Sequence, residues 1–212
     1  MKTKNVLVIA LLFLVIALNL KVKAQDFKAG VLLGASISQV DGDAMSGFNK
    51  IGAIGGMFVN RNISKNAAIQ GELSYVMKGS RVASTKNTNY NQREISANYV
   101  DLSLYYKYFF DENVDVKLGL VPSILIYHDE KTADGLSQDE TALPGFRKLN
   151  CLLSIGAEYF FTSHIFASAA FNYSLFSFRS GKADFYNYQY YHFIFEDGQY
   201  HNYFTFCLGY QF

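Results

Sequence analysis

Four residues have side chains that could support hydrolysis of a lipid: His128, Asp129, His192 and His201. Such chemistry needs a nucleophile, a base and an orienting group that converge in space. No spaced motif joins the four residues, so we interpret them as solvated loop side chains. The sequence therefore predicts no catalytic residue and no enzymatic activity. The alternative is an enzyme that acts on lipid with residues at the rim of a membrane barrel.

The stretch "HDEKTADGLSQDET" is rich in carboxylates, which are the groups that hard cations prefer. Its spacing does not follow the Asp-x-Asp-x-Asp-Gly calcium loop. A solvated acidic loop is favoured over a metal site, and we expect no metal and no cofactor. The carboxylates are Asp129, Glu130, Asp134, Asp139 and Glu140.

Much of the chain after residue 24 alternates large apolar and polar or small residues with a period of two, which predicts β-strands. Eight stretches carry the pattern: 27–39, 50–60, 67–79, 98–110, 114–126, 148–161, 165–177 and 202–212. A tilted strand that crosses a bilayer needs about 9–11 residues, whereas strands of soluble proteins average about 5–6. The connections alternate between short and long, as do the periplasmic turns and extracellular loops of outer-membrane barrels. We predict an all-β protein, an eight-stranded antiparallel transmembrane β-barrel.

Residues 1–24 have the composition of a cleaved secretory signal peptide. Lys2 and Lys4 precede the apolar run "VLVIALLFLVIAL", and Val22 and Ala24 occupy the small-residue positions of a cleavage site. A retained membrane anchor is the alternative. The remaining domain, residues 25–212, carries 15 Lys and Arg against 18 Asp and Glu. This balance gives no support for nucleic-acid binding.

Alternate residues along a predicted strand share one face, and we call the two sets the apolar parity and the polar parity. Aromatic residues of the apolar parity gather at the ends of the strands, as in the two girdles at membrane interfaces. Tyr75 and Tyr173 lie toward the long-loop ends. A soluble sandwich or lipocalin-like barrel also alternates, but strand length and aromatic placement favour the membrane barrel. The aromatics at the short-turn ends are Tyr108, Phe110, Tyr159, Phe161, Tyr210 and Phe212.

The stretches "SQVDGDAMSGFNKIGAIGG" and "GELSYVMKGSR", with "GAEYFF" and the terminal "LGYQF", resemble the PorT-like outer-membrane β-barrel family of Bacteroidota. The resemblance covers most of the chain after residue 24 and implies a location in the outer membrane. One departure lies at Val100–Ser103, where the family often carries a proline. The family takes its name from a member that serves protein secretion, and these motifs do not transfer that role.

An eight-stranded barrel leaves an interior just wide enough for side chains to fill. The polar parity places charged residues of both signs there, and buried charges must be paired. We therefore predict an ion-pair network that plugs the lumen, with a proton or ion path as the alternative. Its predicted members are Lys28, Lys50, Glu72, Lys78, Asp101, Lys107, Asp115, Lys117 and Glu158.

Cys151 has the lipid-facing parity of the sixth predicted strand, and Cys207 has the lumen-facing parity of the eighth. Side chains on opposite faces of non-neighbouring strands cannot form a disulfide. We predict two free thiols.

The aromatic-rich stretch "DFYNYQYYHFIFEDG" allows two interpretations. Its aromatics extend the last strands and cap the barrel mouth, or residues 184–195 recognise a protein or glycan partner.

These observations predict a small outer-membrane β-barrel with a structural, binding or accessory role exerted through its extracellular loops. The alternative is a transport or protein-secretion component of the outer membrane. The expected partners are outer-membrane lipid and, during insertion, the barrel assembly machinery. The terminal Phe212 resembles the signal that this machinery reads in outer-membrane barrels.

Overall fold

The computed structural model describes residues 27–43, 45, 47–82, 94–131, 145–180, 191–193 and 196–212. The predicted signal peptide, residues 1–24, lies outside them, so it and the domain boundary after it stay predictions. Within the described residues, no helix is long and apolar enough to cross a membrane. The strands are β1 (Phe27–Asp41), β2 (Lys50–Asn62), β3 (Ala67–Arg81), β4 (Glu94–Phe109), β5 (Val114–Lys131), β6 (Leu149–Phe160), β7 (Ile165–Ser174), β8 (Arg179–Ser180), β9 (Tyr191–Phe193) and β10 (Glu196–Gln211).

Eight long antiparallel strands form a closed barrel. The hydrogen-bonded order is β1 to β7 followed by β10, and β10 returns to pair with β1 from Gly30↔Gln211 to Asp41↔Tyr200. The short strands β8 and β9 pair only with the first residues of β10. The predicted eight-stranded antiparallel barrel is confirmed, and closure leaves none of the eight with a free edge.

Five strands begin at the predicted residue, but several run further at the end where the long connections lie. β4 begins at Glu94 rather than at residue 98, and β10 begins at Glu196 rather than at residue 202. The hydrogen-bond ladder continues there although the apolar alternation stops, because Glu94, Ser96 and Asn98 replace apolar residues on the outward face. The barrel therefore extends beyond its apolar belt at this long-loop end.

The outward face of the barrel is apolar. Leu33, Ile51 and Leu149 are each at least 70 % exposed, whereas the alternate positions along the strands are mostly buried. At the short-turn end, outward aromatics two residues apart pack edge to face. The pairs are Tyr108–Phe110, Tyr159–Phe161 and Tyr210–Phe212, with ring centroids 5.2, 5.2 and 5.7 Å apart. An apolar belt bordered by an aromatic girdle is the surface of a barrel in lipid, and a soluble barrel would bury these side chains.

Candidate functional site: the barrel interior

The interior nearer the short-turn end holds a cluster of five buried charged side chains. Lys107 Nζ donates to Glu158 Oε2 at 2.6 Å and lies 3.0 Å from Asp115 Oδ2. Lys117 Nζ donates to Glu158 Oε1 at 2.8 Å and lies 3.9 Å from Glu72 Oε2. Glu158 therefore joins two lysines with its two oxygens. We call these five residues the lower cluster.

The strand register explains this geometry. Lys107 faces Lys117 across β4 and β5, and Asp115 faces Glu158 across β5 and β6. Like charges directly opposite each other are destabilising. Because the two pairs lie one step apart along the strands, each lysine reaches a carboxylate on a diagonal instead. Each lysine therefore forms an ion pair with a carboxylate, although the residue directly opposite it or its partner has the same charge.

A second group of charges lies further toward the long-loop end. Lys78 Nζ lies 3.2 Å from Asp101 Oδ2, and Tyr203 Oη donates to the same oxygen at 3.0 Å. Ser123 Oγ also donates to Asp101. The ammonium of Lys78 lies 4.4 Å from the ring centroid of Tyr99 and 4.7 Å from that of Tyr203. These contacts satisfy a fully buried ion pair, and we call this group the upper cluster.

Little space separates the two clusters. A cavity of about 20 Å³ lies between them and is lined by groups of both, including Glu72, Asp101, Lys117 and Tyr203. A buried water needs about 10–15 Å³, so this cavity has room for roughly one water molecule. The interior is filled by side chains at this level.

Two predicted members of the network lie apart from both clusters, and the prediction is corrected for them. Lys28 is exposed near the start of β1, where the barrel opens at the short-turn end. Lys50 lies at the opposite end, where its ammonium pairs with Glu94 and donates to Ser96 Oγ. Both follow the inward parity, but they lie at the rims, where water or loop-end residues are in reach.

The long-loop mouth is closed by a column of stacked rings that the sequence did not predict. His128 stacks on Phe146, Phe146 on Phe178, and Phe178 on His201, with centroid distances of 4.5, 5.2 and 4.1 Å. The last two rings are completely or almost completely buried. Tyr99 Oη lies 3.0 Å from His201 Nε2 and continues the column toward the upper cluster.

Arg179 holds this column in place from the side. Its guanidinium lies 4.3 Å from the ring centroid of Phe146, and Nη2 donates to Glu130 Oε2 at 2.7 Å. The sequence predicts that Arg179 lies in a long loop between the last two strands and that Glu130 lies in a solvated acidic loop. A signal was present in aromatic residues of the inward parity, such as Tyr99 and Tyr203, which mark positions where the lumen is filled by rings.

The four rim candidates do not form a catalytic set in the described part of the chain. His201 is buried rather than solvated, which corrects the prediction for that residue. His128 is exposed and stacked on Phe146, and Asp129 pairs with Lys131 at 3.9 Å on the surface. The side chain of His192 lies outside the described residues.

The acidic stretch is described only as far as Lys131. Asp134, Asp139 and Glu140 lie outside the described residues, as does most of the stretch 184–195; residues 191–193 form β9. Among the side chains that the structure describes, no group of three or more His, Cys, Asp or Glu residues is placed to hold a metal ion.

Both cysteines are free, as predicted. Cys151 is partly exposed on the outward face of β6, and Cys207 is buried on the inward face of β10. Phe212 ends the chain at the short-turn rim, where its amide donates to Ala29 O at 2.8 Å and its side chain is 70 % exposed.

A wide cavity opens at the short-turn end, in contrast to the filled middle of the barrel. Its volume is about 660 Å³, and its walls are mostly polar. Lys107 and Asp115 of the lower cluster form part of its lining, together with Asn60 and Gln211. We call this cavity the vestibule.

An inside-out closed barrel with an apolar belt, an aromatic girdle and a filled interior defines a small outer-membrane β-barrel protein. The family model described as "outer membrane protein beta-barrel domain" matches residues 23–179. The chain therefore belongs to the outer membrane protein beta-barrel domain family and is located in the outer membrane. The short-turn end is accordingly periplasmic and the long-loop end extracellular.

The chain is similar to several solved structures at low sequence identity. The chain is similar to Ail, the attachment invasion locus protein of Yersinia pestis, at 13 % identity, with 88 % of this chain and 99 % of Ail covered and a TM-score of 0.51. Neisserial surface protein A is 12 % identical, with 88 % of this chain and 96 % of that protein covered and a TM-score of 0.47. OprG of Pseudomonas aeruginosa is 10 % identical, with 88 % of this chain and 94 % of OprG covered and a TM-score of 0.39. No curated protein matches the chain.

Proposed function

We propose that this protein is a closed outer-membrane barrel that does not conduct, and that it has a structural or binding role exerted through its extracellular loops. The observation that carries the proposal is the filled lumen. Two ion-pair clusters and a gap of about 20 Å³ leave no continuous aqueous path through the middle of the barrel. The barrel then serves as a rigid anchor for whatever its outer end displays.

The extracellular mouth supports the same proposal. The stack of Phe146, Phe178 and His201 lies over the upper cluster, and Arg179 fastens it to Glu130. A mouth closed by buried rings gives little access to a solute from outside. A partner, whether protein or glycan, would therefore meet the loops above the barrel rather than the lumen. We propose a non-enzymatic role, because no motif in the sequence assembles a nucleophile and a base.

Single-channel recording in planar bilayers tests the closed barrel. The purified protein is expected to give no steady conductance. The double variant Lys78→Ala/Asp101→Ala is the matched control: it removes both charges of the upper cluster together, enlarges the lumen and leaves no unpaired charge behind. Conductance steps from the variant show that barrels of this kind insert and are detected. Steady conductance from the unaltered protein contradicts the proposal and favours the transport or secretion alternative.

A loop replacement tests the binding role. Residues 184–195 are exchanged for an Asn-Gly turn, which fits a tight hairpin, and binding of the purified barrels to glycan arrays and to intact cells is compared. A loss of binding with the barrel still folded supports recognition through this stretch. Equal binding by both proteins rules out residues 184–195 as the recognition element.

A further inference from the structure

The lower cluster does not balance its own charge. Lys107 and Lys117 face three carboxylates, those of Glu72, Asp115 and Glu158, and all five side chains are at most 5 % exposed. The upper cluster is neutral, since Lys78 is matched by Asp101. Taken as ionised groups, the five residues of the lower cluster carry one excess negative charge. A buried charge without a counter-charge is costly, so a proton or a bound cation must compensate it.

Unpaired oxygen atoms lie in the same half of the barrel. Asp115 Oδ1 and Asn60 Oδ1 are buried and have no hydrogen-bond donor, and both residues line the vestibule. Gln70 Oε1, across the β2–β3 ladder from Asn60, is unpaired as well. All three atoms are acceptors. Buried acceptors normally have partners, from the protein or from ordered water, so these three atoms need donors that water or a bound molecule in the vestibule can supply.

The vestibule is large enough for an organic molecule. Its volume of about 660 Å³ lies within the range of small-molecule sites. Lys28 and Lys65 also line it, but both are exposed to solvent, where water screens their charges. In the described residues, no group of three or more His, Cys, Asp or Glu residues is placed to hold a metal ion. An inorganic cation has no hydrogen to donate, whereas a primary ammonium group supplies three N–H donors.

We propose that the vestibule binds a small molecule with a primary ammonium group, and that this group is held at Asp115. Asp115 Oδ1 is covered by neighbouring side chains, so the carboxylate turns toward the vestibule to accept from the ammonium, which then cancels the excess negative charge of the lower cluster. The remainder of the molecule occupies the polar vestibule and is open to the periplasm. The ammonium can belong to a free diamine or to a periplasmic peptide. This site lies at the opposite end of the barrel from the loops and does not depend on a closed lumen.

Isothermal titration calorimetry of the purified full-length barrel in neutral detergent at low salt tests the site. Putrescine and the dipeptide Ala-Lys are titrated as amines, 1,4-butanediol as the uncharged analogue of putrescine, and potassium chloride as the inorganic cation. One amine is expected to bind at one per barrel and butanediol is expected not to bind. Tighter binding of putrescine identifies a free diamine, and tighter binding of Ala-Lys identifies a peptide amine.

Two variants locate the site. Asp115→Asn is expected to weaken amine binding by on the order of tenfold, because a hydrogen bond between two charged groups is lost. Glu112→Gln is the matched control: it removes one carboxylate charge from the exposed wall of the same vestibule. Its affinity for the amine should fall less than threefold. Asn60→Ala keeps all charges but removes a second unpaired acceptor of the vestibule, to which the remainder of the bound molecule can donate. It is expected to weaken binding severalfold and serves if Asp115→Asn does not fold.

Three results overturn the proposal. Potassium that competes with putrescine at equal concentration shows a site for inorganic cations. The absence of a binding signal from both amines shows that a proton compensates the charge. Unchanged amine affinity in Asp115→Asn, or in Asn60→Ala where only that variant folds, places any binding elsewhere. None of these results bears on whether the barrel conducts.

Discussion

Phe178 and His201 lie face to face at the extracellular mouth, with ring centroids 4.1 Å apart and planes inclined by 13°. Phe178 comes from the connection after β7 and His201 from β10. The amide of Phe178 donates to Gln199 O, which holds the connection against the last strand. The ring of Phe178 is thus a lid over an imidazole that would otherwise face the outside.

Removing this lid should expose His201 to reagents. We expect diethyl pyrocarbonate to modify His201 slowly in the unaltered barrel and at least tenfold faster in Phe178→Ala, because the truncated side chain opens the stack. The modification is measured by peptide mass spectrometry on barrels whose folded state is checked by gel mobility. Phe176→Ala is the control, since that side chain is already exposed. Equal rates for His201 in the three proteins would show that Phe178 does not close the mouth.

Lys107 should be essential for the stability of the barrel. It is the direct counter-charge of Asp115 and contacts Glu158 as well, so Lys107→Met leaves the three buried carboxylates of the lower cluster with one lysine. Removing one partner of a buried ion pair typically costs about 3–5 kcal/mol. We expect a loss of that size in the free energy of unfolding, measured by urea titration in lipid vesicles.

Lys28→Met is the matched control for that experiment. Both variants remove an inward-parity lysine, but Lys28 is exposed at the rim. Its unfolding free energy should therefore stay within about 0.5 kcal/mol of the unaltered protein. Similar losses in the two variants would mean that the stability effect comes from net charge and not from the lower cluster.

The sequence could predict the barrel because the alternation of apolar and polar residues indicates each strand, its length and the face that it turns to lipid. It could also place Lys107 and Glu158 on the inward side. The diagonal ion pairs, Lys107 with Asp115 and Lys117 with Glu158, could not be predicted, because they depend on the register of neighbouring strands. The alternation also predicts an interior position for Lys28, because it indicates which face a residue occupies but not its depth along the barrel.

The closed mouth could not be predicted from the sequence, for a different reason. Phe146, Phe178 and Arg179 belong to connections without a regular period, so nothing in the sequence indicated where their side chains would lie. His201 follows the inward parity, but it precedes the apolar alternation that marked the last strand. The sequence therefore predicts a loop residue at this position, although β10 continues through it.

The two cysteines should differ in accessibility while remaining reduced. β7 separates β6 from β10, and the side chains lie on opposite faces of the barrel wall. Mass spectrometry of the denatured protein, alkylated without reductant, should show two modified thiols. In the folded barrel, a lipid-soluble maleimide should label Cys151 and leave Cys207 unlabelled. Alkylation that requires prior reduction would contradict the free-thiol prediction, and equal labelling of both thiols would contradict the assigned faces.

Phe212 should matter for insertion more than its structural contacts suggest. Its side chain is exposed to lipid and packs only edge to face on Tyr210, so removing it should cost the folded barrel little. We nevertheless expect deletion of Phe212 to reduce the amount of folded barrel in the outer membrane severalfold, because the terminal aromatic resembles the signal for barrel assembly.

Cys207→Ser is the control for this deletion, an inward substitution on the same strand, and is expected to insert normally. Folded barrel is quantified in outer-membrane fractions by its gel mobility before and after heating. Refolding of the purified deletion variant into vesicles should proceed like that of the unaltered protein, which separates a defect in recognition from one in stability. Equal outer-membrane levels of the two variants would leave Phe212 as ordinary lipid-facing surface.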